Sequence, residues 1–197
     1  MIESQGAEDF PFRTPNHLAF HPDGSLYVSD SGSSWEAQDG AILRIAPTGE
    51  TTVVSLKAPA FPNGLAIDAS GSSLYLLESA DPRLSRLEIN GDGTLGQPQL
   101  LAALPRTVPD GIALASDGSI LISCFKPDVI LRVCAGHVTV LSEDWQGRFL
   151  NSPTNICFFG RGLQRLAATN LGARTIVEIG NAGAPGVPLH YPLRKAL

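Results

Sequence analysis

The chain has 197 residues, 43% of them apolar and 17% charged, with 14 Lys and Arg against 19 Asp and Glu and a formal net charge of -5. This is the composition of a globular domain long enough to bury a core, and the acidic balance, with basic residues scattered as in Arg83, Arg86, Arg106 and Arg132, excludes nucleic acid as a partner. No apolar run approaches the ~18 residues needed to span a bilayer, and the opening "MIESQGAEDFPF" has neither the basic nor the apolar region of a secretory signal, so the expected location is the cytoplasm, with no membrane partner.

Beyond Pro11 the chain falls into four comparable segments. They begin "TPNHLAFHPDGSLYVSDS", "FPNGLAIDASGSSLYLLES", "VPDGIALASDGSILISCF" and "SPTNICFFGRGLQRLAATN", and their prolines Pro15, Pro62, Pro109 and Pro153 are 47, 47 and 44 residues apart. Each segment holds a short apolar run, a Gly-containing turn and a second run. The turns at Pro22 to Gly24 and Ser116 to Gly118 put Gly where a tight hairpin needs positive φ. Two more β-type runs follow in the first three segments: "AILRIA" and "TTVVSL", "LSRLEI" and "QLLAAL", "VILRV" and "HVTVL". No window sustains a 3.6-residue apolar period, so helices should be few.

Four antiparallel strands repeated every ~40 to 50 residues are the signature of a propeller blade. The expected fold is therefore all-β, a single β-propeller domain over residues 1–197 of four-stranded antiparallel blades, with repeats at about 12–58, 59–105, 106–149 and 150–182. Cys124, Cys134 and Cys157 have no metal-like spacing, lie in apolar strand-like runs, and read as buried free thiols.

In such a blade the loop into the first strand and the loop out of the second share a face, so equivalent residues of every blade gather there. The position after the repeated Pro is Asn16, Asn63, Asp110 and Thr154, with Asn155 beside it. Carboxylate and carboxamide oxygens converging on an axis suit a hard cation such as Ca²⁺ better than a thiophilic one. The competing reading is that Asn and Asp only make side-chain turns at the strand starts. Asp30, Glu78 and Asn170 lie at strand ends on the same face as supporting candidates. The loop Ser31 to Gly40 is the longest there and is a candidate lid, with Trp35 as an apolar wall for a ring substrate. His17 follows Asn16, and strand alternation turns it away from the axis. His21, His137 and His190 have no evident partner, and Ser31 and Ser152 lack the Gly-x-Ser-x-Gly context of a nucleophile elbow.

The segments "RTPNHLAFHPDGSLYVSDSG", "FPNGLAIDASGSSLYLLES", "VPDGIALASDGSILISC" and "SPTNICF" resemble, in combination and over about residues 11 to 182, the senescence marker protein, gluconolactonase and luciferin-regenerating enzyme family of six-bladed propellers. The resemblance implies a divalent metal on the propeller axis, Ca²⁺ foremost with Zn²⁺ or Mg²⁺ as alternatives, and hydrolysis of a lactone or sugar-like small molecule. It implies that Asn63 and Asp110 are metal ligands, that Asp110 is also the base, and that Asn16 contacts substrate or metal. The family's remaining ligand, a Glu in an "EGP" motif, has no counterpart here, since Glu3 sits in "IESQG" and Glu8 in "AEDF". By the same resemblance Asn16 belongs to the third of six blades, so the first two are expected to be absent, leaving blade edges open to self-association. A non-catalytic propeller that binds a small molecule or a protein, or an inactive fragment, are the other readings.

Overall fold

A computed structural model describes residues 3–180 and 182–191. The chain starts with a small hairpin, β1 (Gly6–Ala7) against β2 (Phe10–Pro11). Four antiparallel sheets follow, each a simple meander in chain order. Blade 1 holds β3 (Pro15–Phe20), β4 (Leu26–Asp30), β5 (Ala41–Ile45) and β6 (Thr51–Ser55). Blade 2 holds β7 (Pro62–Ile67), β8 (Ser73–Glu78), β9 (Arg83–Glu88) and β10 (Gln99–Ala103). Blade 3 holds β11 (Val108–Leu114), β12 (Ile120–Lys126), β13 (Val129–Cys134) and β14 (His137–Glu143). Blade 4 holds three strands among the described residues, β15 (Pro153–Phe159), β16 (Arg165–Asn170) and β17 (Thr175–Ile179). The helical content of the described residues is one 3₁₀ turn, Arg161–Leu163. The expected all-β propeller architecture is the observed one.

The hairpin turns obey local chemistry. Gly24 and Gly118 take φ of +87° and +82°, which a side chain would strain. In the first turn Asp23 Oδ1 accepts from the Ser25 amide at 2.7 Å, and in the third Asp117 Oδ1 accepts from Ser119 at 3.0 Å.

The apolar core is divided between the blades, because both faces of a middle blade meet a neighbour. Tyr27 and Ile42 of blade 1 pack on Leu65, Ile67, Leu74 and Leu76 of blade 2. From the opposite face of blade 2, Ala66, Leu77 and Leu84 meet Ile112, Ile120, Ile122, Leu131 and Val133 of blade 3. Leu121 and Ile130, on the far face of blade 3, meet Ile156, Leu166, Ala168 and Ile179 of blade 4. Alternate residues of β8 and β12 thus serve different cores, which is why these strands read as unbroken apolar runs.

The first strands of successive blades, β3, β7, β11 and β15, pack side by side around the axis. Their later residues enclose a cavity of about 560 Å³, floored by residues 187–191. That closing segment is fastened by the Val187 amide to the Leu114 carbonyl at 2.9 Å and by His190 Nε2 to the Asp68 carbonyl at 2.9 Å. His17 lines this cavity, contrary to the expectation that it turns away from the axis. The thiols also differ from expectation in part. All three are free and Cys124 is buried, but Cys134, at the β13 hairpin end, and Cys157, on the innermost strand of the last blade, are exposed.

Candidate functional site

Each innermost strand carries a bulge at the same place, just after its proline. Pairing slips between Pro15 and Leu18, between Pro62 and Leu65, between Pro109 and Ile112, and between Pro153 and Asn155. Two residues of β3, β7 and β11 therefore face one residue of the second strand, and the bulge releases Asn16, Asn63 and Asp110 from regular alternation. It also releases backbone amides, and hydroxyls take them up. Ser29 Oγ accepts from the His17 amide at 3.0 Å, Ser123 Oγ from Gly111 at 3.0 Å, and Thr169 Oγ1 from Asn155 at 3.1 Å. His17 lines the cavity, whereas Asn16 lies exposed outside it.

Glycine after the candidate residue lets the strands approach. A Cβ on Gly64 would collide with the Asp110 carbonyl oxygen, and one on Gly111 would lie 2.5 Å from Asn155 Cα. Asn63 and Asp110 are consequently neighbours across adjacent blades, with the Asn63 amide against the Asp110 carboxylate.

Asn63 is 5% exposed, and its Nδ2 donates to Ser79 Oγ at 3.2 Å. Its Oδ1 is buried and has no hydrogen-bond partner among the described residues. Burial pushes the Asp110 carboxyl up to about 7, against the smaller opposing effect of the Asn63 amide. His17 moves the other way: burial lowers its imidazole to about 4, so it is neutral at physiological pH. An orphaned carboxamide oxygen beside a carboxylate is an acceptor-rich donor set of the hard-oxygen kind, which fits Ca²⁺ or Mg²⁺. Among the described residues no three His, Cys, Asp or Glu side chains gather as a metal cluster, so Asn63 and Asp110 furnish only part of a coordination sphere.

The other sequence-derived candidates take different positions. Asn16 is exposed, and its Nδ2 donates to Ser31 Oγ at 3.0 Å. Asn155 is exposed and folds its Oδ1 back onto the Ile156 amide at 2.8 Å, so it offers that oxygen to its own backbone. Asp30, Glu78 and Asn170 are buried fasteners of the loops that lead into the innermost strands. Asp30 accepts from the amides of Arg13 and Gly32 at 2.8 and 2.9 Å, Glu78 from Ala60 at 3.0 Å, and Asn170 from Asn151 at 3.1 Å. Desolvation raises Glu78, with the Ala60 amide and Arg83 opposing it.

The loop Ser31 to Gly40 is tied down rather than poised as a lid. Asp39 accepts from the Ser33 amide at 2.9 Å, from Ser33 Oγ at 2.7 Å and from Arg13 Nη1 at 2.6 Å. Trp35 is 41% exposed and packs on Phe61, ring centroids 4.9 Å apart, at the start of the second blade. Sequence reasoning weighed Ser31 only as a nucleophile and overlooked Ser79; the signal for both was their place directly after an acidic strand end in "SDSG" and "LESA".

A family model described as the SMP-30/Gluconolactonase/LRE-like region matches residues 3–171. A curated relative, the strictosidine synthase-like 13 protein of Arabidopsis thaliana, is 26% identical over 132 residues, 60% of this chain and 32% of that protein. The chain thus spans about a third of that relative's length. Among solved structures it is similar to a regucalcin from Agrobacterium tumefaciens described as a calcium-binding protein, with a TM-score of 0.72 and 18% identity over 90% of this chain and 63% of that one. It is also similar to a gluconolactonase from Xanthomonas campestris, with a TM-score of 0.69 and 19% identity over 85% of this chain and 58% of that one. Identities this low establish the shared propeller fold.

Proposed function

The chain belongs to the SMP-30/gluconolactonase/LRE-like family, and from that premise we propose that it is a lactone hydrolase dependent on a divalent cation, Ca²⁺ foremost. The observation that carries the reading is the Asn63 carboxamide oxygen, buried without a partner and set beside the raised Asp110 carboxyl. The calcium-binding description of the regucalcin neighbour and the gluconolactonase neighbour support the cation and the substrate class.

Asn63 Oδ1 and an Asp110 oxygen would hold the cation. Such an ion, when bound, would supply Lewis-acid polarisation of a lactone carbonyl. In this reading Asp110 is also the proton acceptor for the attacking water. Trp35 and Phe61 form an aromatic wall beside the start of β7 against which a sugar-like ring can lie. Asn16, exposed on the adjacent blade, supplies a polar contact to substrate hydroxyls.

The test is hydrolysis of glucono-δ-lactone by the 197-residue chain in Ca²⁺ and in EDTA. Turnover that needs the cation and disappears in Asp110→Asn supports the reading. Equal rates in both media, or an unaffected variant, refute it. The same assay examines the alternative of a non-catalytic binding propeller, which would be stabilised by ligand without turning it over.

A further inference from the structure

Asn63 presents a puzzle of orientation. A carboxamide has one accepting and one donating end of nearly the same shape, so an Asn can offer a cation its oxygen or, by a half-turn about χ2, its NH₂ group. Only one of these is useful, and something must decide between them.

We propose that Ser79 is a positioning residue that holds the Asn63 carboxamide by its NH₂ group and so leaves its oxygen free to meet a cation, and that Ser31 holds Asn16 by the same contact. This rests on the reading of Asn63 and Asp110 as oxygen donors to a cation. The Ser79 hydroxyl has a single proton, and it donates to the Pro109 carbonyl at 2.6 Å in a buried contact. A carbonyl cannot donate, so the Ser79 oxygen is left with lone pairs alone to offer Asn63. Only Nδ2 can use them, at 3.2 Å, which turns Oδ1 away from the serine and leaves it without a partner. The same chain of contacts recurs one blade earlier, from Asn16 Nδ2 to Ser31 Oγ at 3.0 Å and from Ser31 Oγ to the Pro62 carbonyl at 2.8 Å.

The repeats contain their own control. Pro15, Pro62, Pro109 and Pro153 pair with Asp30, Glu78, Cys124 and Asn170, so the residues after these partners are equivalent. They are Ser31, Ser79, Phe125 and Leu171. A hydroxyl stands opposite the two carboxamides, Asn16 and Asn63. At that position none stands for Asp110, whose two carboxylate oxygens are interchangeable, or for Thr154, which has no amide to turn and meets Thr169 Oγ1 at 3.0 Å instead. Serine occurs where there is an orientation to choose. The relay also joins the two candidate ligands, because the carbonyl that accepts from Ser79 belongs to the residue before Asp110.

The experiment is calcium titration by calorimetry of the wild-type chain, Ser79→Ala and Ser79→Thr, with the side-chain amide of Asn63 followed by ¹⁵N-resolved NMR. The expected result is Ca²⁺ affinity weaker by roughly 10- to 100-fold in Ser79→Ala, the range for loss of a group that orients a metal ligand, with near-wild-type affinity in Ser79→Thr. The Asn63 NH₂ protons should be protected from exchange in wild type and Ser79→Thr and unprotected in Ser79→Ala. Unchanged affinity and unchanged protection in Ser79→Ala overturn the proposal. If the wild type binds no Ca²⁺, the cation reading falls, and the NMR comparison alone decides whether Ser79 orients Asn63. Should Ser79→Ala not fold, Ser79→Val against its isostere Ser79→Thr makes the same comparison at constant side-chain shape.

Discussion

The hydroxyl of Ser29, in the first blade, donates to the main-chain carbonyl of Asn63, in the second, at 2.7 Å in a buried contact. The same oxygen accepts from the His17 amide that the β3 bulge leaves unpaired. One small side chain thus satisfies a strand defect and ties the backbone of a candidate ligand to its neighbouring blade. Ser29→Ala strands both groups, and the expected cost is about 1 to 3 kcal/mol, measured by urea unfolding with the slope unchanged. A loss below a few tenths of a kcal/mol would show that water replaces the hydroxyl there.

Two half-buried groups give stability opposing pH dependences. Asp110 is raised from 3.8 to about 7, so the native state holds its proton more tightly than the unfolded chain, and its contribution is present below about pH 4 and lost as pH rises to about 7. His17 is lowered from 6.5 to about 4, so its contribution is present above about pH 6.5 and lost as pH falls to about 4. Between pH 4 and 6.5 the two nearly cancel. Asp110→Asn should therefore gain on wild type as pH rises from 4 to 7, by roughly 1 to 3 kcal/mol after allowance for the partial exposure of the carboxyl. His17→Asn should lose on wild type over pH 4 to 6.5. Thermal melts across that range decide it, and parallel curves for all three proteins would contradict both shifts.

Calcium and protons should compete at Asp110. A divalent ion favours the ionised carboxylate, so Ca²⁺ affinity should fall as pH drops from 8 to 5.5, and binding near pH 6.5 should release a fraction of a proton. Calorimetry in two buffers of different ionisation enthalpy reads that release directly. Binding heat that is the same in both buffers would remove Asp110 from the ligand set.

Gly64 separates crowding from conformational freedom. Its backbone needs no positive φ, yet an added methyl would meet the Asp110 carbonyl oxygen and the Leu77 side chain. Gly64→Ala should cost roughly 1 to 3 kcal/mol and displace Asp110 from Asn63, whereas Gly91→Ala, with nothing within 4 Å of the new methyl, should be close to neutral. Thermal melts of the two variants make the comparison.

The thiols offer an inexpensive check on the packing. Cys134 and Cys157 are exposed, whereas Cys124 is buried and its thiol is pushed up to about 12 by desolvation. A thiol reagent should label two cysteines quickly in the native protein and the third only on unfolding. Three fast thiols would mean that the contact between blades 2 and 3 opens readily.

The repeat, the hairpin turns and the division into four sheets were legible in the sequence, because they depend on local chemistry: Gly at positive φ, Asp beside a turn, and alternating apolar runs bounded by polar ones. The equivalence of Asn16, Asn63, Asp110 and Thr154 was legible for the same reason, since a fixed period carries a position from blade to blade. Their roles were not. The bulges arise from pairing with the second strand, which no single segment specifies, and nothing in the segment alone places His17 on the cavity and Asn16 outside it. Cys134 and Cys157 became exposed because their strand positions lie at a hairpin end and on the last blade's innermost strand, facts of assembly. Burial set the opposite shifts of Asp110 and His17, and only neighbouring blades supply burial. Residue identity along the chain determined which groups stand at the bulge of each innermost strand, while contacts between blades determined which of them lie beside each other and which oxygen remains free.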